Sequence, residues 1–267
     1  METKRAVALT VAGSDSGGGA GIQADLKTFH QFDVYGMSAI TAVTAQNTRG
    51  VAGVYPLTAE AVVDQMQQVL QDIGTDAMKT GMLFDAEIIR AVAGLIREYQ
   101  IAQVIVDPVM VAKGGAKLLQ DDAVEAMKQE LLPLASVVTP NLPEAECLTG
   151  MSIETRAEME EAARRIHALG ARHVIVKGGH LDSDELVDLL FDGTHFHALP
   201  HQRINTRHTH GTGCTFSAAL TAELAKGTPI DTATEKAKRF IVEAIATAPR
   251  IGGGHGPTNH WARISQI

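Results

Sequence analysis

Cysteine and aromatic residues are scarce in this chain, and each scarcity excludes a class of protein. Two cysteines, Cys147 and Cys214, occur in 267 residues, with no C-x-x-C spacing. A disulfide framework and a cysteine-rich zinc site both lack their raw material, and the pattern fits a reducing cytoplasm. Phe, Trp and Tyr make up only 4% of the chain. The core must therefore be Ala, Val, Ile and Leu, a palette suited to parallel sheets covered by helices. No apolar run approaches the ~18–20 residues that span a bilayer, so no membrane association is expected. Ala6 to Ala12 after a short charged start superficially mimics a secretory leader, but the run is brief and Asp15 and a glycine cluster follow it. Positive charge is in deficit, with 23 Lys and Arg against 31 Asp and Glu, a net charge of −8. Such a surface repels phosphate backbones, which excludes nucleic acid as a partner and leaves any anion to a local site. Neither G-x-x-x-x-G-K-[ST] nor H-E-x-x-H occurs. The chain has eleven histidines, but His195, His197 and His201 fall on an extended arm without metal-ligand spacing, and they read as surface residues.

What is present is a globular balance, 45% apolar and 20% charged. Short apolar runs alternate with helical periodicity from end to end, which predicts one α/β domain over residues 1–267. Strands are expected at 7–12, 37–45, 77–80, 104–106, 137–139 and 174–176. Between them lie helices, with Thr58, Asp85, Asp121 or Asp122, and Thr155 as N-caps. The alternation implies three layers: a mostly parallel central sheet with helices on both faces. Leu186 to Phe191, Asp192-Gly193 and Thr194 to Leu199 read as a small antiparallel hairpin at one edge, joined by a tight turn. Two helices, 214–226 and 231–247, close the chain.

Polar or glycine-rich motifs follow nearly every core strand: Gly13-Ser14-Asp15, Gln46-Asn47-Thr48, Lys79-Thr80-Gly81, Asp107-Pro108, Asn141 to Glu144 and Lys177-Gly178-Gly179-His180. Ligands of open α/β sheets bind outside the carboxyl ends of the strands, so these motifs place a site there. Thr209-His210-Gly211-Thr212-Gly213-Cys214 precedes a helix. Glycines at such a start aim free N–H groups at one point, where the helix dipole favours an anion. Cys214 at a helix N-terminus is expected to have a lowered thiol pKa, whereas Cys147 reads as a small buried hydrophobe. The glycine cluster 17–21 contains G-x-G-x-x-A, but the second strand ends Thr44-Ala45-Gln46 without the acid that a dinucleotide ribose requires. A glycine loop closing over substrate is expected instead. Asp107 and Glu144 at strand ends are candidate Mg²⁺ ligands, with helix capping the other reading of Glu144. Lys177 can bridge phosphates as a point charge.

Several of these stretches resemble a known family. Ala12 to Thr28, Thr44-Ala45-Gln46-Asn47-Thr48, Thr139 to Ala145, Lys177 to His180, Gly211 to Cys214 and Gly254 to His260 are similar, in order, to the motifs of hydroxymethylpyrimidine/phosphomethylpyrimidine kinases of thiamine biosynthesis. These belong to the ribokinase-like superfamily. The resemblance implies an ATP- and Mg²⁺-dependent kinase acting on 4-amino-5-hydroxymethyl-2-methylpyrimidine and then on its monophosphate. It implies a pyrimidine pocket of Gly13, Asp25, Gln46, Met82 and Val109. It further implies an ATP-phosphate site of Lys177, Thr209, Gly211, Thr212 and Gly213, with Asp107 and Glu144 for the metal, Cys214 as catalytic base, and a cytoplasmic homodimer. Bacterial pyridoxal kinases share the loop, the lysine and the cysteine, so pyridoxal phosphorylation, alone or alongside, is the alternative. Gln46-Asn47-Thr48 favours the pyrimidine.

Overall fold

The computed structural model describes residues 5–110, 121–178 and 185–263. In chain order the strands are β1 (Val7–Asp15), β2 (Tyr35–Asn47), β3 (Gly50–Pro56), β4 (Ala77–Thr80), β5 (Val104–Val106), β6 (Val137–Val138), β7 (His173–Val176), β8 (Glu185–Phe191) and β9 (Phe196–Gln202). The helices are α1 (Gly21–Gln31), α2 (Ala59–Asp72), α3 (Ala86–Glu98), α4 (Asp121–Ala126), α5 (Leu142–Thr149), α6 (Arg156–Ala168), α7 (Thr212–Ala225) and α8 (Ile230–Ala246). The strands form one sheet in the order β3-β2-β1-β4-β5-β6-β7-β8-β9. The six from β2 to β7 run parallel, while β3 at one edge and the β8–β9 pair at the other are antiparallel.

Side chains alternate across a strand, and the sheet uses that alternation to bury both faces. Leu9, Val11, Met78, Val104, Val106, Val138, Val174 and Val176 pack on one side with α2 to α6. Ala8, Ala77, Ile105, Val137 and Ile175 pack on the other with α1, α7 and α8. The three layers expected from the alternation are therefore present. The predicted caps at Thr58, Asp85 and Thr155 accept hydrogen bonds from Ala61, Ile88 and Glu158 amides.

Three elements differ from the sequence reading. β3 was not foreseen: Gly-Val-Ala-Gly-Val-Tyr-Pro carries glycines and a proline that weaken a strand signal, and pairing with β2 creates it. For the eight residues of α5 the sequence indicates only a cap around Glu144; in the structure Asn141 and Glu144 form a capping box, and Gly150 ends the helix at φ 71°. The hairpin turn is longer than an Asp-Gly pair. Phe191 faces Phe196, so Asp192 to His195 form a four-residue loop, in which the Asp192 carboxylate accepts the amides of Thr194 and His195 at 2.7 and 2.6 Å. Gly179 and His180 lie outside the described residues.

Candidate active site

Because β1, β2 and β4 to β7 are parallel, their carboxyl ends share one edge of the sheet, and a cleft of about 890 Å³ opens there. It is bordered by Gly13, Gln46, Met82, Val109, Asp107, Glu144, Lys177, Thr209 and the run Gly211 to Cys214. Twelve of the thirteen residues singled out for substrate, phosphate, metal and catalysis thus meet in one cavity.

The exception is Asp25. It is fully buried beneath the floor, where its Oδ2 takes a hydrogen bond from Thr10 Oγ1 at 2.6 Å and an ion pair from Lys79 Nζ at 2.9 Å. It is Lys79, rising from the four-residue β4, that reaches the cleft. Burial alone would strip the Lys79 proton, but the carboxylates of Asp25 and Asp107 raise its pKa and hold it as ammonium.

At one end the site is built of backbone and fixed charge. Gly211 caps α7 at φ 78°, and a Cβ there would lie 1.8 Å from the Gly19 carbonyl oxygen, so only glycine lets the two loops touch. Thr209 holds the turn, its carbonyl accepting Thr212 Oγ1 at 2.7 Å. The first amides of α7 have no intrahelical acceptor, and Thr212, Gly213 and Cys214 border the cleft with them. Lys177 donates to Asp107 Oδ1 at 3.1 Å. Asp107 is anchored by Thr139 at 3.2 Å and Ser217 at 3.1 Å, and although burial opposes its charge, Lys177 and Lys79 keep it ionised. Burial and the neighbouring Asp107 lift Glu144 to about 7, against the pull of Lys177.

Cys214 reverses its expectation. Burial, with the carboxylates of Asp25 and Asp107 nearby, pushes the thiol up to about 11, outweighing Lys79 and the Gly21 amide. The helix N-terminus does not make it a thiolate, because burial opposes the charged form and the nearby carboxylates add to that opposition. Cys147, read as buried, is exposed at the cleft rim.

The other end is a slot. A Cβ on Gly13 would stand 2.3 Å from the Met82 methyl group, so glycine makes room for that side chain. Gln46 is the polar group here. Its backbone N–H donates to Ser16 Oγ at 2.8 Å. Sequence reasoning assigned no role to Asp15, Lys79 or His210, although all three stand in motifs it singled out. Asp15 gathers the glycine loop, accepting the amides of Gly17, Gly19 and Ala20 at 2.7, 3.0 and 2.8 Å. The available signal for Lys79 was a lysine inside a wholly buried strand, where a charge requires a partner.

The family model of phosphomethylpyrimidine kinase matches residues 15–259. The chain belongs to that family. It is 58% identical to the hydroxymethylpyrimidine/phosphomethylpyrimidine kinase of Bacillus subtilis, over 96% of this chain and 94% of that one. Among solved structures it resembles the pyridoxal kinase of the same organism in its ADP complex, with a TM-score of 0.90 and 45% identity over 97% of this chain and 98% of that one. It also resembles the phosphomethylpyrimidine kinase of Clostridium difficile, with a TM-score of 0.81 and 43% identity over 90% of this chain and 100% of that one. The fold is the ribokinase-like one that the motifs implied.

Proposed function

We propose that this kinase transfers the terminal phosphoryl group of ATP to the hydroxymethyl group of 4-amino-5-hydroxymethyl-2-methylpyrimidine, and then phosphorylates that monophosphate to the diphosphate. The carrying observation is the union, in one cleft, of an α7 N-terminus beside Lys177 and Asp107 with a Gln46-lined slot. Phosphoryl transfer asks the protein mainly for positioning and charge neutralisation, and the two ends divide those tasks. The amides of Gly213 and Cys214 and the Lys177 ammonium stabilise charge on the moving phosphoryl group. Gln46 supplies an amide donor and acceptor to the aminopyrimidine edge, between the apolar walls of Met82 and Val109.

Among the described residues no three His, Cys, Asp or Glu side chains gather into a closed metal cage. Asp107 and Glu144 instead offer two hard carboxylates whose charges conflict, a donor set that suits Mg²⁺, which keeps waters and takes few protein ligands. Bound there, the cation would neutralise phosphate charge. Cys214, a protonated thiol at rest, serves at the reacting end as a hydrogen-bonding neighbour of the hydroxyl; a loose transition state asks little of a base.

A second reading, pyridoxal as substrate, is favoured by the likeness to the Bacillus subtilis pyridoxal kinase. The higher identity to the pyrimidine kinase of that organism supports the first. ADP release measured with the pyrimidine alcohol, its monophosphate and pyridoxal under one condition separates them. Turnover of pyridoxal alone would sink the pyrimidine assignment. Dimerisation and a cytoplasmic site complete the proposal. The exposed cross-strand pair Val43 and Tyr55 supports the first, and among the described residues no helix is long and apolar enough to cross a membrane.

A further inference from the structure

The loop after β1, the tip of the β2–β3 hairpin and the loop before α7 converge on one imidazole. His210 Nε2 lies 2.8 Å from Asp15 Oδ2 and 3.2 Å from the side-chain amide nitrogen of Gln46. The backbone of His210 is fixed as well: its N–H donates to the Gly256 carbonyl at 3.1 Å and its carbonyl accepts from Thr258 at 3.3 Å. A Cβ on Gly19 would stand 2.7 Å from His210 Cδ2, so the glycine loop closes directly against the ring.

Donor and acceptor accounting then decides the arrangement. Burial opposes the Asp15 charge, but His210 and the Gly17 and Ala20 amides outweigh it and hold the carboxyl down to about 2. Asp15 is therefore an acceptor only, and His210 Nε2 must carry the proton. The single Nε2 N–H is directed at Asp15 and shared with Gln46 at the longer 3.2 Å, and a protonated Nε2 cannot face the NH₂ of an amide. The two ends of a glutamine amide are nearly equal in shape, so Gln46 settles with its oxygen toward His210 and its NH₂ toward the cleft.

We infer that His210, held by Asp15, is a positioning residue that fixes the orientation of the Gln46 amide and so selects the hydrogen-bonding pattern of the ring that binds beside it. With the oxygen anchored, Gln46 keeps one lone pair for an exocyclic amino group and its NH₂ for the adjacent ring nitrogen. That is the edge of a 4-aminopyrimidine. A 4-oxopyrimidine presents the reverse pattern, N–H beside C=O, and meets donor against donor. The inference rests on the proposed substrate class, and it adds the device that sets selectivity within that class.

The test compares kcat/KM for 4-amino-5-hydroxymethyl-2-methylpyrimidine and its 4-oxo analogue. Wild-type enzyme is expected to favour the amino compound strongly. In His210→Ala the amide is free to turn over, and the ratio should fall by on the order of 10–100-fold, the worth of one mismatched buried pair. Asp15→Asn should lower it in the same direction. Both substrates are measured on one preparation, so partial loss of folded protein cancels from the ratio. The wild-type enzyme gives a reading that needs no variant: ¹⁵N-labelled His210 must show a proton on Nε2. An unchanged ratio in both variants, or a bare Nε2 in the wild type, overturns the inference. Wild-type enzyme inert toward the aminopyrimidine instead overturns the substrate assignment, and this inference with it.

Discussion

One end of the cleft presents backbone amides and fixed charges; the other presents the side-chain amide of Gln46 near Met82 and Val109. The first end is assembled from α7, β5 and β7, elements whose positions are locked by the two cores. Its chemistry is generic, since any phosphate satisfies it. The second end is assembled from loops after β1 and β2 that hold one another through Asp15, Ser16, Gln46 and His210. On the proposed reading its chemistry is particular to one ring. On the proposed assignment, the rigid end transfers and the loop end chooses, so a kinase scaffold can change substrate without touching its phosphate machinery.

The largest perturbation should strike both ends at once. Lys79→Met leaves the Asp25 carboxylate buried without its partner, a change that costs about 3–5 kcal/mol. Urea denaturation should register that loss. Unaltered stability would mean the pair contributes nothing to the shared floor.

Gly213→Val should break the phosphate end alone. The nearest atoms to a Cβ there are the Lys177 ammonium at 3.3 Å, the end of a flexible side chain, and the Asp107 carboxylate at 3.7 Å, so the added bulk falls on the anion cradle. Loss of such donors lowers kcat by on the order of 10²–10³, and pyrimidine binding measured by calorimetry should persist. Normal turnover in a folded variant would remove the α7 N-terminus from the mechanism.

Glu144 sharpens the comparison through pH. Its pKa, about 7 in the fold against 4.5 in an unfolded chain, means that the folded state holds the proton more tightly. The associated stability is present below about pH 4.5 and disappears as pH rises through 7, a change on the order of 3 kcal/mol. Glu144→Gln should flatten that part of the stability profile, and Mg²⁺ should restore stability to the wild type at pH 8. Parallel profiles for the two proteins would deny Glu144 its raised pKa.

At the substrate end, Gln46→Ala should weaken pyrimidine binding by about 1–3 kcal/mol while ATP binding holds. Equal weakening of both would make Gln46 a structural strut. The smallest effect is expected at Cys214. Because its thiol titrates near 11, Cys214→Ser should keep kcat within a few-fold, and no thiol step should appear between pH 6 and 9. A loss of 10²-fold or more would return the general-base role to the cysteine.

Local chemistry and period were readable from residues alone. The Val-, Ile- and Ala-rich runs declared buried strands, and Thr58, Asp85 and Thr155 declared their helices. Motifs recurring after strands declared the edge where the cleft lies, because parallel strands put their carboxyl ends together whatever else they carry. Three things belonged to the tertiary structure. β3 is a strand only because β2 extends far enough to pair with it. Asp25 left the pocket and Lys79 entered it because a buried charge goes where its partner is, and that partner lies 54 positions away in the chain. Cys214 kept its proton because folding buries the sulfur, and the nearby carboxylates add to that effect. The helix start is visible in sequence; the burial of the sulfur, and the approach of Asp25 from α1 and Asp107 from the end of β5, come only with folding.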